Sequence, residues 1–185
     1  MILISKTIKN NFDNSLNHSC EVYYNEKSNM WTKIVKGVDF DIDSFLKFNE
    51  IYNIVVEPLM IEYQNNILEY VMEDVSDNIF KFNNQTEVYN CFQNIIHFFK
   101  CYSEFSKNTK KVFYHADMKK DNMVYIDGCV KLIDIDSFIW NTKEKFIQYS
   151  LKCMQKAWGF SWDEISINSH YPGSYRNDWY KMMEQ

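Results

Sequence analysis

The sequence has few of the residues that build tight turns and phosphate clamps. Its 185 residues include four glycines, two prolines and a single arginine, Arg176. Because glycine is the usual residue at left-handed backbone positions, the turns of this chain must use asparagine, aspartate and serine instead. Arginine is the preferred bidentate ligand of phosphate, so a phosphate site built from several arginines is excluded.

Several classes of protein are disfavoured by what else is missing. No apolar stretch approaches the roughly 20 residues that a transmembrane helix needs, and the apolar N-terminal run is too short for a signal peptide. The net charge is −5 and no basic block stands out, which disfavours nucleic acid as a partner. The cysteines form no CxxC pair, which disfavours zinc and disulfide frameworks; they are Cys20, Cys91, Cys101, Cys129 and Cys153.

Composition also gives an expectation of origin and compartment. Scattered cysteines, odd in number, predict a reducing, cytoplasmic environment. Lysine, asparagine, isoleucine and tyrosine are in excess, which fits an AT-rich coding sequence, as in a phage or an AT-rich bacterium.

The first 80 or so residues have the pattern of a sheet with one helix. Two β-prone runs flank Glu26–Asn29, which predicts a hairpin over residues 20–36. Apolar residues at helical spacing then predict a helix from Asp39 to Ile54. Two further strands are predicted at Val55–Tyr63 and Ile67–Glu73.

The rest of the chain is predicted to be mostly helical. A helix is expected from Asn84 to Phe105, and a final helix near Ile147. Between them, two short strands at Met123–Ile126 and Val130–Ile133 flank a turn. The expected fold class is therefore α+β, in one domain over residues 1–185. Its β-rich part extends to about residue 75 and its helical part begins at about residue 76.

The strongest chemical signal lies in residues 114–138, YHADMKKDNMVYIDGCVKLIDIDSF. Four of them spell HxDxKxxN: His115, Asp117, Lys119 and Asn122. Phosphoryl transfer needs a carboxylate for the attacking hydroxyl, oxygen ligands for Mg²⁺ and a cation near the transferred group. Asp117 supplies the carboxylate, Asn122 and Asp134 the metal ligands, and Lys119 the cation.

This arrangement resembles the catalytic loop and metal-binding turn of protein kinases, written HRDLKxxN and DFG. The resemblance implies a two-lobed fold, with a sheet-rich small lobe, a truncated helical large lobe, and ATP and Mg²⁺ between them. It makes Asp117 the catalytic base and Asn122 and Asp134 the Mg²⁺ ligands. It also implies that Lys119 contacts the γ-phosphate and that His115 has a structural role.

The same resemblance extends into the first half of the chain. Lys33, near the end of a predicted strand, matches the lysine that holds the α- and β-phosphates. Glu50, in the predicted helix, matches the ion-pair partner of that lysine. The run from Val71 to Val75 matches the hinge, so that backbone groups near Glu73 and Val75 would bind adenine.

Three departures from the family pattern bear on function. Residues 11–19 contain no glycine, although a phosphate-cradling loop normally needs it for close backbone approach. Ala116 stands where regulated protein kinases carry the arginine that reads activation-segment phosphate. Asp136 replaces the glycine of the metal turn, and it is either a further metal ligand or a helix cap. In this respect the chain resembles aminoglycoside, choline and lipopolysaccharide-core kinases more closely.

These observations predict an ATP- and Mg²⁺-dependent phosphotransferase, a kinase with an alcohol group as acceptor. The short segment after Asp136 and the absence of an APE motif favour a small-molecule or glycan alcohol over a protein. Two alternatives remain: a nucleotide-binding pseudokinase that acts as a scaffold, and a minimal protein Ser/Thr kinase. The aromatic residues between Trp158 and Tyr180 are expected to pack in the core, with a ligand-binding or oligomer surface as the alternatives.

Overall fold

The computed structural model describes residues 1–9, 18–79, 85–126 and 128–152, and it confirms that the chain is of the mixed α+β class. These residues form two compact units. The first contains Met1–Asn78 together with Ile133–Asp136, and the second takes in the remaining described residues. In the ranges described, none of the helices combines the length and the apolar character needed to cross a membrane.

The first unit is built on a five-stranded antiparallel sheet. Its strands are β1 (Ile2–Lys9), β2 (His18–Asn25), β3 (Met30–Lys36), β4 (Met60–Gln64) and β5 (Ile67–Glu73), in the spatial order β1-β2-β3-β5-β4. The predicted hairpin is confirmed as β2 and β3. Its turn ends at Asn29, whose φ of 54° is a left-handed value that glycine would usually supply.

Two expectations for this sheet need correction. The strand predicted at Val55–Tyr63 begins only at Met60. Pro58 explains the difference, because proline has no N–H to donate to a strand ladder. Strand β1 was not predicted, and it is an edge strand whose residues from Ile2 to Ile4 are about half exposed.

Helix α1 (Ile42–Tyr52) buries the aromatic side chains of Phe45 and Phe48. It begins after Asp41, whose carboxylate accepts a hydrogen bond from the N–H of Ser44 at 3.0 Å. Phe45 is fully buried and its ring lies 5.7 Å from that of Phe40, which in turn meets Tyr63 of β4 edge-on. The helix ends at Asn53 with φ 50°, so asparagine again occupies a left-handed cap.

The second unit combines two helices with two small antiparallel sheets. Its elements are α2 (Gln85–Ser106), β6 (Lys111–His115), β7 (Met123–Ile126), β8 (Cys129–Leu132), β9 (Phe138–Thr142) and α3 (Lys143–Lys152). The hairpin of β7 and β8 was predicted, but the pairing of β6 with β9 was not. The core of this unit is aromatic, with Phe99, Tyr102, Phe113, Phe138 and Phe146 nearly or fully buried.

Some sequence features fall outside the described residues. The glycine-free stretch is described only at its end, where His18 and Ser19 begin β2. The aromatic C-terminal segment lies wholly outside, as does any extension of the last helix beyond Lys152.

Candidate functional site

Lys33 lies on the face of the sheet that carries the apolar core of the first unit. In the register of the sheet it stands directly opposite Tyr70 of β5. Side chains alternate along a strand, so Lys33 shares its face with Val35 and Leu68, which are fully buried. The Lys33 side chain is only 17% exposed. Lysine is rarely buried to this extent without a partner, so the position requires anions.

Two aspartates of the same unit are these partners, and both come from a distant part of the chain. The Lys33 Nζ atom bonds to the Asp134 carboxylate and lies 2.6 Å from Asp136 Oδ1. Asp134 has φ 69°, a left-handed conformation that costs a residue other than glycine about 1 to 3 kcal/mol. It is followed by a short 3-10 turn, Ile135–Ser137, in which Ile135 is fully buried. Such a conformation persists only where the surrounding contacts hold it.

Burial and charge act in opposite directions on Lys33. Burial alone lowers the pKa of the Lys33 ammonium, but the negative charges of Asp136 and Asp134 outweigh it and raise the pKa above its usual value. Lys33 is therefore charged at every physiological pH. The three side chains together carry a net charge of −1, which suits the approach of a cation.

Tyr70 completes the cluster and was not singled out from the sequence. It is 4% exposed, and its hydroxyl donates a hydrogen bond to Asp136 Oδ1 at 2.8 Å. Burial raises the pKa of the Tyr70 phenol well above its usual value, and the nearby charges of Asp136 and Asp134 raise it further. The hydroxyl is therefore a fixed donor. A tyrosine in an apolar strand has no sequence signal that would mark this contact.

The predicted ion pair between Lys33 and Glu50 is not formed among the described residues. Glu50 is exposed on α1, whose buried face carries Phe45, Phe48 and Asn49. The neighbouring position Asn49 is 6% exposed, and its side-chain amide donates to Glu57 at 2.5 Å. In this turn of the helix the side chain that faces inward is therefore the amide of Asn49. The next residue, Glu50, faces solvent.

The second predicted group of residues is organised around Asp117 in the loop after β6. The Asp117 carboxylate accepts hydrogen bonds from Lys119 Nζ at 2.7 Å and from Asn122 Nδ2 at 3.0 Å. Asn122 also donates to the Asp117 carbonyl at 2.8 Å and is 8% exposed. The Asp117 side chain remains 47% exposed, so its carboxylate is both positioned and accessible. Of the predicted set, Asp117, Lys119 and Asn122 are brought together.

The loop that carries Asp117 is held by neighbours on several elements. His115 is fully buried, its Nδ1 accepts the N–H of Asp117 at 3.2 Å, and its ring meets Phe138 edge-on. The N–H of Met118 donates to the Tyr149 hydroxyl of α3 at 2.5 Å. The structural role expected for His115 agrees with these contacts. Tyr149 was not identified from the sequence, because its partner is a backbone group with no sequence signature.

The predicted hinge residues lie where β5 ends. Glu73 is the exposed last residue of β5. The N–H of Asp74 donates to the Asn29 carbonyl at 3.0 Å, and the Val75 carbonyl accepts from Asn78 at 2.9 Å. The backbone after β5 is therefore held by the turn between β2 and β3 and by a local turn, which fixes the course of the chain past Val75.

The carboxylates of Asp134 and Asp136 are of the ligand type that magnesium prefers. Mg²⁺ in proteins is commonly held by one or two carboxylates together with substrate phosphates. Asp134 and Asp136 offer two carboxylates on one lysine. No cluster of three or more His, Cys, Asp or Glu side chains suited to a metal occurs within the described ranges. Asp136 does not cap α3, because Thr142 Oγ1 accepts the N–H of Lys145 at that helix start.

Comparison with known proteins does not assign a family. No family model matches the sequence, and no curated protein matches it significantly. What this chain does must therefore be inferred from its own residues and their geometry.

Proposed function

We propose that this chain is an ATP- and Mg²⁺-dependent phosphotransferase with a two-lobed, protein-kinase-like fold. It moves the γ-phosphate of ATP to the hydroxyl of a small molecule or glycan. The observation that carries the proposal is the cluster of Lys33 with Asp134 and Asp136. The sequence pattern had picked out these residues separately as phosphate-binding and metal-binding, and they meet although about 100 residues separate them.

In this proposal, the residues of the cluster act on the nucleotide phosphates. Lys33, charged and largely buried, binds α- and β-phosphate oxygens. Asp134, Asp136 and Asn122 would hold Mg²⁺, which neutralises charge on the phosphates when it is bound. Asp117 accepts a hydrogen bond from the acceptor hydroxyl and orients it for attack. Lys119, already paired with Asp117, supplies positive charge for the transferred group.

The strand register supports an adenine site at the end of β5. The Val71 carbonyl accepts the N–H of Leu59 at 2.8 Å, so the backbone groups of Val71 point toward the β4 side. Glu73 lies two residues further along the strand, so its backbone N–H and carbonyl point to the same side. The pairing of β4 with β5 ends at Met60 and Val71, so no β4 residue stands opposite Glu73. We assign adenine to this side of Glu73 and to the Val75 N–H.

A small acceptor is supported by the short chain that follows the aspartates. After Asp136 the chain enters β9 almost at once, and β9 is paired with β6 along its whole length. Helix α3 begins directly after Thr142. This stretch has no free loop of the kind that binds a peptide substrate or carries a regulatory phosphate.

A second candidate, a nucleotide-binding scaffold without transfer activity, is favoured by two observations. Residues 11–19 contain no glycine, and Glu50 makes no ion pair with Lys33. Both would weaken the positioning of ATP. The ordered Asp117 carboxylate favours catalysis instead, because a scaffold has no need of an accessible base.

Two experiments, one after the other, test nucleotide binding and then phosphate transfer. Thermal unfolding is first measured with ATP alone and with ATP and Mg²⁺; we expect stabilisation by ATP that increases when Mg²⁺ is added. Absence of any shift up to millimolar nucleotide would overturn the proposal. The protein is then incubated with γ-labelled ATP, Mg²⁺ and fractionated lysate. Label in small molecules or glycans supports the proposal, label in proteins indicates a protein kinase, and binding without transfer indicates the scaffold.

A further inference from the structure

We propose that Tyr70 is a positioning residue, which fixes Asp136 and through it Lys33, so that Asp136 replaces the helix glutamate as the permanent partner of the lysine. This inference rests on the proposed phosphotransferase function. It assigns different roles to the two aspartates that contact Lys33. Asp136 anchors the lysine, and the more exposed Asp134 engages the metal.

The first step is the alignment of Tyr70 with Lys33. They are direct cross-strand partners on one face of β3 and β5, so their side chains leave the sheet side by side. Both reach the same atom, Asp136 Oδ1, at 2.6 Å from the lysine and 2.8 Å from the tyrosine. One oxygen is thus held by two donors from two strands, which defines its position.

The second step is the burial of this contact. Tyr70 is 4% exposed and the Asp136 side chain 13%. Hydrogen bonds to an ionised group are about twice as strong as neutral ones, and a low local dielectric strengthens them further. Asp134 is more exposed, at 25%, and also contacts Lys33. Asp136, the less exposed of the two carboxylates, is therefore the better anchor.

The third step is the strained backbone next to the anchor. Asp134 has φ 69°, a conformation that must be maintained by its surroundings. Asp136 lies two residues further on and is tied to the sheet by Tyr70 and Lys33, and Ile135 between them is fully buried. The Tyr70 hydroxyl therefore also helps to keep Asp134 in its left-handed conformation. Glu50 cannot take over the anchoring role, since it lies exposed on α1.

The test measures how well Lys33 is held, without nucleotide. Wild type, Tyr70→Phe, Asp136→Asn and Tyr63→Phe are exposed briefly to an amine-acylating reagent, and labelling at Lys33 is quantified by mass spectrometry. The exposed Lys27 serves as an internal reference. Tyr63→Phe is the matched control, because it removes a hydroxyl that bonds to the Val38 carbonyl and not to Asp136.

We expect Lys33 labelling relative to Lys27 to rise about tenfold in Tyr70→Phe, the size expected for loss of one hydrogen bond to a charged group. Asp136→Asn should give a similar rise, the double variant little more than either alone, and Tyr63→Phe none. Circular dichroism checks that each variant is folded. If Tyr70→Phe only lowers the melting temperature and leaves the labelling ratio unchanged, the role is structural and the proposal is overturned.

A calorimetric titration with a non-hydrolysable ATP analogue and Mg²⁺ separates this inference from the proposed function. If wild type binds, Tyr70→Phe should weaken binding about tenfold and Tyr63→Phe should not. Unchanged binding by Tyr70→Phe would overturn the positioning role even if the labelling rises. If wild type does not bind, the proposed function fails, and the labelling ratio alone decides whether Tyr70 holds Lys33 through Asp136.

Discussion

Replacing Lys33 by methionine should destabilise the protein even without any ligand. Methionine keeps the length of the side chain and removes the charge, which leaves Asp134 and Asp136 side by side at 25% and 13% exposure. Removing one partner of a buried ion pair costs about 3 to 5 kcal/mol, whereas exposed pairs contribute about 1 kcal/mol or less. These aspartates are partly solvated, so we expect a loss of about 2 to 3 kcal/mol, between the two limits.

The loss is measurable by differential scanning calorimetry. For a chain of this size it corresponds to a fall in melting temperature of about 5 to 10 °C. Lys36→Met is the matched control, because Lys36 is the exposed last residue of the same strand and should tolerate the change. Magnesium at millimolar concentration should stabilise Lys33→Met more than wild type, since a metal can replace the missing cation between the carboxylates.

Two results would refute this reasoning. If Lys33→Met has the same melting temperature as Lys36→Met, the ion pairs of Lys33 contribute nothing to the stability of the ligand-free protein. If the variant is destabilised but magnesium affects it no more than wild type, the two aspartates are a purely structural pair and not a metal-binding one.

Three further predictions follow from the same structure. Asp117→Asn should lower transfer at least about a hundredfold while nucleotide affinity, measured by calorimetry, stays nearly unchanged; equal activity would remove this residue from the mechanism. Asp41→Ala should cost about 1 kcal/mol in urea unfolding, because helix α1 loses its N-terminal cap; an unchanged midpoint would contradict the capping role. In mass-spectrometric thiol labelling at pH 8, the exposed Cys129 should react quickly. The buried Cys101, whose pKa burial raises to about 11, should react only after unfolding, and the reverse order would contradict the structure.

Local signals in the sequence predicted much of the fold. The hairpin of β2 and β3, helix α1 and strand β5 all have regular apolar spacing, and each is found close to its expected bounds. The scarcity of glycine correctly indicated asparagine turns. In the described residues four asparagines and Asp134 have positive φ, against two glycines. Properties set by a few neighbouring residues could therefore be read from the sequence.

Interactions over long sequence distances could not be predicted in this way. Strands β6 and β9 were missed because each is short and its partner lies on the far side of the intervening β7–β8 hairpin in the sequence. The exposure of Glu50 depends on the rotation of α1 against the sheet, and a difference of one position, from Asn49 to Glu50, separates the core from solvent. Tyr70 was missed because only the fold brings it to Asp136.

The ladder between β6 and β9 has a consequence for how the site can be lost. It joins His115 to Phe138, and the segment between them contains Asp117, Asn122 and Asp134. Opening of this short ladder would release both ends of the segment in one event. Amide hydrogen exchange in β6 and β9 should therefore occur at one common rate. That rate sets an upper limit on how long Asp117 and Asp134 keep their positions. A destabilising change in this ladder is therefore expected to disturb the surroundings of Asp117 and Asp134 together, through local unfolding.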